Sequence, residues 1–487
     1  MKHSSAVRAV LLLLPSLALA QSSTQSGPNA TTPDAATPTS SSNPNPAPAT
    51  MSAAPADVKT TPEPTFVIAK WKAKLYGFAE LDTMSDSTQS FAEIQGNGVI
   101  AKPGTLGYDN GRTQATIRNS RLGFSLESPD FGGVKGYATI EGDFFGFDPA
   151  PFSATSAGNS EAGFYTNPTF RIRHSFVKIE TPVIDILGGQ YWTLLGFGPI
   201  FNPATVALQG IAGEIYQRTP QLRLGKSIAL GGGSKLEIQG AALRPYQRDS
   251  AVPDFAGGVR LEIGGWTGYK STGGSGSGPA NLQFAVSGTL KQFRALPAKP
   301  VSDTDFQTAS GSAIALDALI PIIPAPSKTS HAGALTFVGE ASTGSGYNDA
   351  FTGLTAGTTV GAPPGVPTGT TYAANLDNGG AGFNSDTGVL DTVDYRSLLL
   401  NLQYYTPIAD GNVWLSGVFT TVQSDNSGLF AKPGVAFTDQ KYASLAVFYD
   451  LTPATRLGIE GAWTRQRMSD QTVRVDRRGL FSMWFIF

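Results

Sequence analysis

From Trp71 onward the chain alternates apolar and polar residues with a period of two, over and over. In "WKAKLYGFAELD", Trp71, Ala73, Leu75, Gly77, Ala79 and Leu81 fall on one face, and Lys72, Lys74, Glu80 and Asp82 on the other, with Tyr76 and Phe78 among them. In "VKGYATIEGDF", Val134, Gly136, Ala138, Ile140, Gly142 and Phe144 oppose Lys135, Tyr137, Thr139, Glu141 and Asp143. Strict alternation predicts a strand with one apolar and one polar face. One such strand fits a soluble sandwich as well as a membrane barrel.

Number, length and loop asymmetry separate the two. The pattern predicts about sixteen strands: 70–82, 114–128, 132–145, 169–181, 183–192, 213–229, 233–247, 254–266, 279–294, 309–323, 330–344, 391–406, 411–424, 438–452, 454–468 and 474–487. Most exceed the five or six residues of an ordinary globular strand and match the roughly 9–11 that a tilted strand needs to cross a bilayer. Every second connection is short and turn-like ("ESPDFGG", "TPV", "LGGG", "DLTPAT"). The others, including 83–113, 146–168, 193–212, 295–308, 345–390 and 425–437, are mostly long. A sandwich has no reason to sort its loops by end; an up-and-down antiparallel transmembrane β-barrel does. The chain closes on "GLFSMWFIF", with Phe481, Met483, Phe485 and Phe487 on one face. An aromatic terminus is expected where the last strand pairs with the first and its outer face meets lipid.

The N-terminus differs. Residues 1–20 carry Lys2 and Arg8, an apolar run Ala9–Leu14 and a small-residue end, the pattern of a secretory signal peptide. Residues 21–65 are mostly Ser, Thr, Pro, Ala, Asn and Gly, a composition that predicts a disordered linker; the barrel is expected over 66–487. Without the signal peptide the chain has 33 basic and 37 acidic residues, a net charge of −4, which gives no footing for nucleic acid. The chain has no Cys, hence no disulfide and no lipid-attachment Cys. Beyond the signal peptide there are two histidines, His174 and His331. Alternation places His174 outward and His331 beside a short turn, so neither a Ser–His pair nor a metal or other cofactor site is expected. The chain is expected not to be an enzyme.

A signal-bearing barrel that ends in Phe resembles bacterial outer-membrane porins, in which the terminal aromatic (here Phe487, with Phe485) is read by the barrel assembly machinery. "RNSRLGFSLESPDFGGVKGYATIEGDFFG" (118–146) and "FRIRHSFVKIETPVIDILGGQYWTLLG" (170–196) are similar to the sixteen-stranded trimeric porins and, within them, to the DcaP-like branch. That resemblance implies a homotrimer in the outer membrane, in contact with bilayer and lipopolysaccharide. It also implies uptake of dicarboxylic or aromatic carboxylic acids and a constriction loop after the fifth strand. One departure is that 21–64 carries no apolar heptad of the kind some members use to trimerise.

Lumen-facing charges tune what passes through such a barrel. Alternation sends Asn119, Arg121, Arg171, Arg173, Ser175, Gln221, Arg223, Arg260 and Glu262 inward, with Lys135, Glu141 and Asp143 on the polar face of the third strand. Arg121, Arg171 and Arg173 read as a basic wall; the competing reading pairs these arginines with Glu141, Asp143 and Glu262 as scaffolding. Segment 193–213, "TLLGFGPIFNPATVALQGIAG", has no charged residue. Facing the arginines, it would leave them uncompensated, with Phe197, Phe201, Asn202 and Gln209 at the constriction and Tyr191 and Trp192 beside it; alternatively it simply packs against the wall. Arg118, Arg218 and Arg465 break the alternation near the long-loop ends, which reads either as contact with lipopolysaccharide or as a strand bulge. Tyr137 and Trp414 point inward, but no continuous aromatic track for a sugar is evident. Loop 345–390 reads as a solvated cap. The expected function is a passive channel favouring small organic anions, with a sugar-selective or unselective porin as alternative and an adhesion barrel behind both.

Overall fold

The computed structural model describes residues 65–68, 70–146, 168–247, 250–274, 276–297, 305–327, 330–360, 376–432 and 434–487. The expected signal peptide and nearly all of the expected linker lie outside these.

Sixteen antiparallel strands form one closed barrel: β1 Trp71–Asp86, β2 in two pieces (Arg112–Thr116 and Arg121–Glu127), β3 Lys135–Asp143, β4 Arg171–Glu180, β5 Asp185–Trp192, β6 Arg218–Gly231, β7 Ser234–Leu243, β8 Asp254–Ser271, β9 Ser277–Ala295, β10 Gln307–Ile323, β11 Leu335–Ser345, β12 Asp394–Tyr405, β13 Val413–Gln423, β14 Phe437–Thr452, β15 Thr455–Met468 and β16 Val473–Ile486. Each expected strand is present. Closure is β1 on β16, from Phe78 opposite Ile486 to Asp86 opposite Arg478. Phe487 and Gly77 exchange both backbone hydrogen bonds, at 3.0 and 2.9 Å. A short edge strand, Thr65–Ile68, pairs with Trp71–Lys74 on the same edge of β1 and prolongs the seam. Thr65, expected in the linker, is therefore already paired.

The outward face is apolar along the wall: Leu122, Phe124, Ile140, Leu222, Leu224, Leu316, Leu445, Ile459, Phe481, Met483 and Phe485 are all exposed. An apolar belt of this extent is covered by lipid, not water. The inward face is polar and, among the described residues, is largely filled by chain folded in from the loop end. Arg478 donates to the carbonyls of Glu93 and Ala92, and Arg474 to that of Ile100, which draws loop 87–111 inside. In loop 346–393, Tyr347, Phe351 and Leu354 are buried. The described parts of this loop are therefore a packed plug, not the solvated cap that its Gly/Thr-rich composition predicts.

Two irregularities reverse the alternation. Residues 117–120 interrupt β2 where Ser120 and Asn119 bond Glu80, so Arg118 turns inward onto Glu93 at 3.0 Å. In β4 the register slips between the Glu141–His174 and Gly142–Ile172 pairs. A bulge puts one extra residue on one strand and flips the faces beyond it. Arg173 and His174 consequently both face the lumen, Phe176 points in against Tyr191 at 4.7 Å, and Ser175 is exposed outside. The outward placement expected of His174, and of Phe176 by the same alternation, and the inward one expected of Ser175 are overturned on this ground; for Arg118 the break in the strand, not contact with lipopolysaccharide, is the alternative that holds.

Candidate functional site: the constriction between two lumenal cavities

The loop after β5 (193–217) crosses the lumen. Its neck is closed by Thr193 N–H donating to the Gln217 carbonyl at 3.0 Å. From there the far wall accepts its backbone donors. Gly196 N–H donates to Ser287 Oγ (3.0 Å), Ala204 N–H to Asn401 Oδ1 (3.2 Å), Ala207 N–H to Glu460 Oε2 (3.0 Å) and Ile215 N–H to Glu340 Oε1 (3.0 Å); Val206 N–H also reaches Glu460. A loop inside a barrel cannot form a sheet ladder, so its buried donors need side-chain acceptors. Polar wall side chains, two of them carboxylates, thus serve the loop's buried donors. Phe197 and Phe201 are buried anchors, Phe197 lying against Gly258. Asn202 and Gln209 line a cavity, and Gln209 donates to the Thr272 carbonyl at 3.2 Å.

The loop tip covers an aromatic row on the wall, which the sequence pattern did not reveal. Tyr405, Trp414, Phe448 and Trp484, from β12, β13, β14 and β16, lie with successive ring centroids 5.4, 4.0 and 6.2 Å apart. The signal was available as one inward aromatic per strand near the short-turn end. All four are fully buried and pack with Ala204 and Val206. The row holds the loop rather than offering a sliding surface.

Two cavities meet at this loop. One, about 580 Å³, lies on the short-turn side and is lined among others by Arg121, Arg173, His174, Trp192, Asn202 and Phe487. The other, about 630 Å³, lies on the loop side and is lined by Arg171, Arg218, Tyr246, Asn348, Asp349 and Asp377. Tyr216 lines both.

The guanidiniums around Tyr216 are mostly paired. Arg171 forms a fork on Asp143 (2.9 and 2.7 Å). Arg173 donates to Glu141 (2.8 Å), to Asp143 (2.9 Å) and to the Tyr216 hydroxyl (2.9 Å), and Arg121 lies 3.6 Å from Glu141. The expected uncompensated wall is thus compensated, by its own neighbour β3 rather than by the loop. Arg218 is the exception. It has no carboxylate partner among the described residues, its Nη1 is buried without a hydrogen bond, and its guanidinium covers Trp192 at 4.8 Å and Tyr216 at 5.0 Å. Expected on the lipid side, it folds inward because it is the first residue of β6, where the pleat does not yet fix direction. Arg465 does stay outside, 3.4 Å from Asp439.

The remaining candidates sit elsewhere. Arg223 bonds Gln221 (3.0 Å) and Gln239 (2.9 Å), and Arg260 bonds Glu237 (2.8 Å); both line a side cavity of about 330 Å³ behind the loop. Lys135 is at the end of β3 opposite to Asp143 and takes no part in the constriction. Glu262 belongs to the Arg260 network (3.4 Å). His174 stacks among Tyr191, Trp192 and Phe176 with its Nε2 3.8 Å from Glu141. Among the described residues no group of three or more His, Cys, Asp or Glu side chains is placed to hold a metal ion.

A closed sixteen-stranded barrel with a lipid-facing belt and an infolded loop after the fifth strand has the porin fold. The outer-membrane channel DcaP of Acinetobacter baumannii shares it, with a TM-score of 0.57 at 16% identity over 87% of this chain and 99% of that one. The anion-selective porin from Comamonas acidovorans aligns with a TM-score of 0.47 at 11% identity over 86% and 100%. No protein-family model matches the chain, and no curated protein does.

Proposed function

We propose that this chain is an outer-membrane porin, akin to the DcaP-like channels, that lets small organic anions diffuse passively. One observation carries this reading: Tyr216 lines the cavities on both sides of the infolded loop, and beside it Arg218 has no carboxylate partner among the described residues. A guanidinium presents several donors in a plane and takes a carboxylate bidentately. Trp192 and Tyr216 beneath it supply apolar contact for the carbon skeleton. Arg121, Arg171 and Arg173 share only Glu141 and Asp143, so the wall with Arg218 carries a small positive excess and the preference is modest. The same reading places the chain as a homotrimer in bilayer and lipopolysaccharide, delivered by an N-terminal signal peptide and assembled through its terminal Phe485 and Phe487.

The test is the zero-current potential of the reconstituted channel under a KCl gradient, for wild type and for Arg218→Gln. Chloride preference in the wild type that falls towards zero in the variant supports the reading. A cation-selective wild type overturns it.

A further inference from the structure

Tyr216 is half-buried where the chain leaves the infolded loop, two residues before β6. Its hydroxyl accepts from Arg173 Nη2 at 2.9 Å, its ring lies 5.0 Å beneath the Arg218 guanidinium, and it meets Trp192 edge-on at 4.7 Å. Its backbone N–H donates to the Ala350 carbonyl at 2.7 Å, which fixes the main chain at this point. The charged and titratable groups around it are Arg121 from β2, Glu141 and Asp143 from β3, Arg171, Arg173 and His174 from β4, Arg218 from β6 and Asp349 from loop 346–393. The two carboxylates of β3 are already taken by Arg121, Arg171 and Arg173. Among the described residues no carboxylate answers Arg218.

We propose that the Tyr216 hydroxyl is a specificity-determining group that sets the charge of the passage. With the O–H intact, Arg218 leaves the constriction with a positive charge that draws anions. When the O–H bond breaks and the proton leaves to lumenal water, the phenolate neutralises Arg218 and Arg173 turns its Nη2 donor onto a full negative charge. Anion preference then falls while the pore stays open. Burial by itself would push the phenol up, but Arg173, Arg218 and Arg121 outweigh it and bring it down to about 8, so the change falls at mildly alkaline pH. The selectivity part of this rests on the anion-channel reading above.

Two measurements on wild type and Tyr216→Phe separate the possibilities. Absorbance at 295 nm, titrated from pH 6 to 10 in detergent, reads tyrosinate directly. The expected wild-type-minus-variant curve is a single-tyrosine step with its midpoint near 8; a step no lower than that of free tyrosine overturns the inference whatever the channel transports. Zero-current potentials are then expected to show a smaller anion bias at pH 9 than at pH 6.5 in the wild type and no such decrease in Tyr216→Phe. Identical pH profiles in the two proteins overturn the inference. A wild type without anion bias at pH 6.5, together with the expected absorbance step, leaves the phenolate standing and removes the anion-channel reading instead.

Discussion

The backbone N–H of Ala207 donates to Glu460 Oε2 at 3.0 Å across 253 residues of chain. Val206 N–H reaches the same oxygen, and Tyr442 holds the other one at 2.8 Å. One wall carboxylate thus pins the tip of the infolded loop against the side of the barrel opposite to its root. The pore's width is set by hydrogen bonds from the wall as much as by the loop itself.

Removing this pin is expected to widen the pore. Glu460→Ala strands two backbone donors in a buried place, at about 1–3 kcal/mol each. The tip then exchanges between seated and unseated positions. Single-channel recordings should show a larger and noisier conductance, whereas the same substitution at Glu127, half-buried and paired with Lys72 at the end of β2, should leave conductance unchanged.

Gly458 makes the same point from the other side. A Cβ there would lie 2.7 Å from Val206 and 3.0 Å from Trp484. Gly458→Val is therefore expected to displace the loop tip from the aromatic row while leaving the β15 ladder intact. Faster proteolysis within 193–217 in the folded barrel would show it; wild-type protection would refute it.

Asp143 holds two arginines, Arg171 and Arg173, and its side chain has no exposed surface. Asp143→Asn is expected to cost about 3–5 kcal/mol, the range for breaking a buried ion pair, and to strengthen anion preference by releasing positive charge. The reverse change, Arg171→Ala with Arg173→Ala, leaves Asp143 unanswered and Glu141 with Arg121 alone, and is expected to remove the anion preference. Reversal potentials and thermal unfolding in detergent check both.

Glu214, in the return leg of the infolded loop, accepts from Gly210 and Ile211 N–H at 2.7 and 3.0 Å. Burial raises its carboxyl to about 7, against the lowering effect of those two bonds and of Lys270. A carboxyl raised on folding contributes stability that is complete below its unfolded value, near 4.3, and is lost as pH rises through about 7. The unfolding temperature is therefore expected to fall between pH 5 and 8, and to fall less in Glu214→Gln. Equal slopes in the two proteins would exclude Glu214 as the source.

Much of this was legible along the chain, for a physical reason. A membrane barrel imposes period two on every strand, since one face meets lipid and the other the lumen, and it sorts loops by end. All sixteen strands, the lipid-facing row Phe481, Met483 and Phe485, and the inward arginines Arg121, Arg171, Arg173, Arg223 and Arg260 follow from that rule, whereas the site of the infolded loop was implied by the porin resemblance. Where the rule is locally suspended, sequence reading failed. The bulge in β4 turned His174 inward, the break in β2 turned Arg118, and the start of β6 left Arg218 free to fold over Trp192.

The sequence by itself determined the strands, their two faces and the order in which they close, because each depends on neighbours two residues away and on turn chemistry. Only the tertiary structure decided which charges remain unanswered. Arg171 and Arg173 look like a bare basic wall until β3 brings Asp143 and Glu141 beside them. Arg218 looks lipid-facing until it is seen over Tyr216. An uncharged loop looks inert until Glu460 and Glu340 take its backbone donors. Net charge at a point in space depends on groups far apart in sequence, and alternation along one strand carries no information about them.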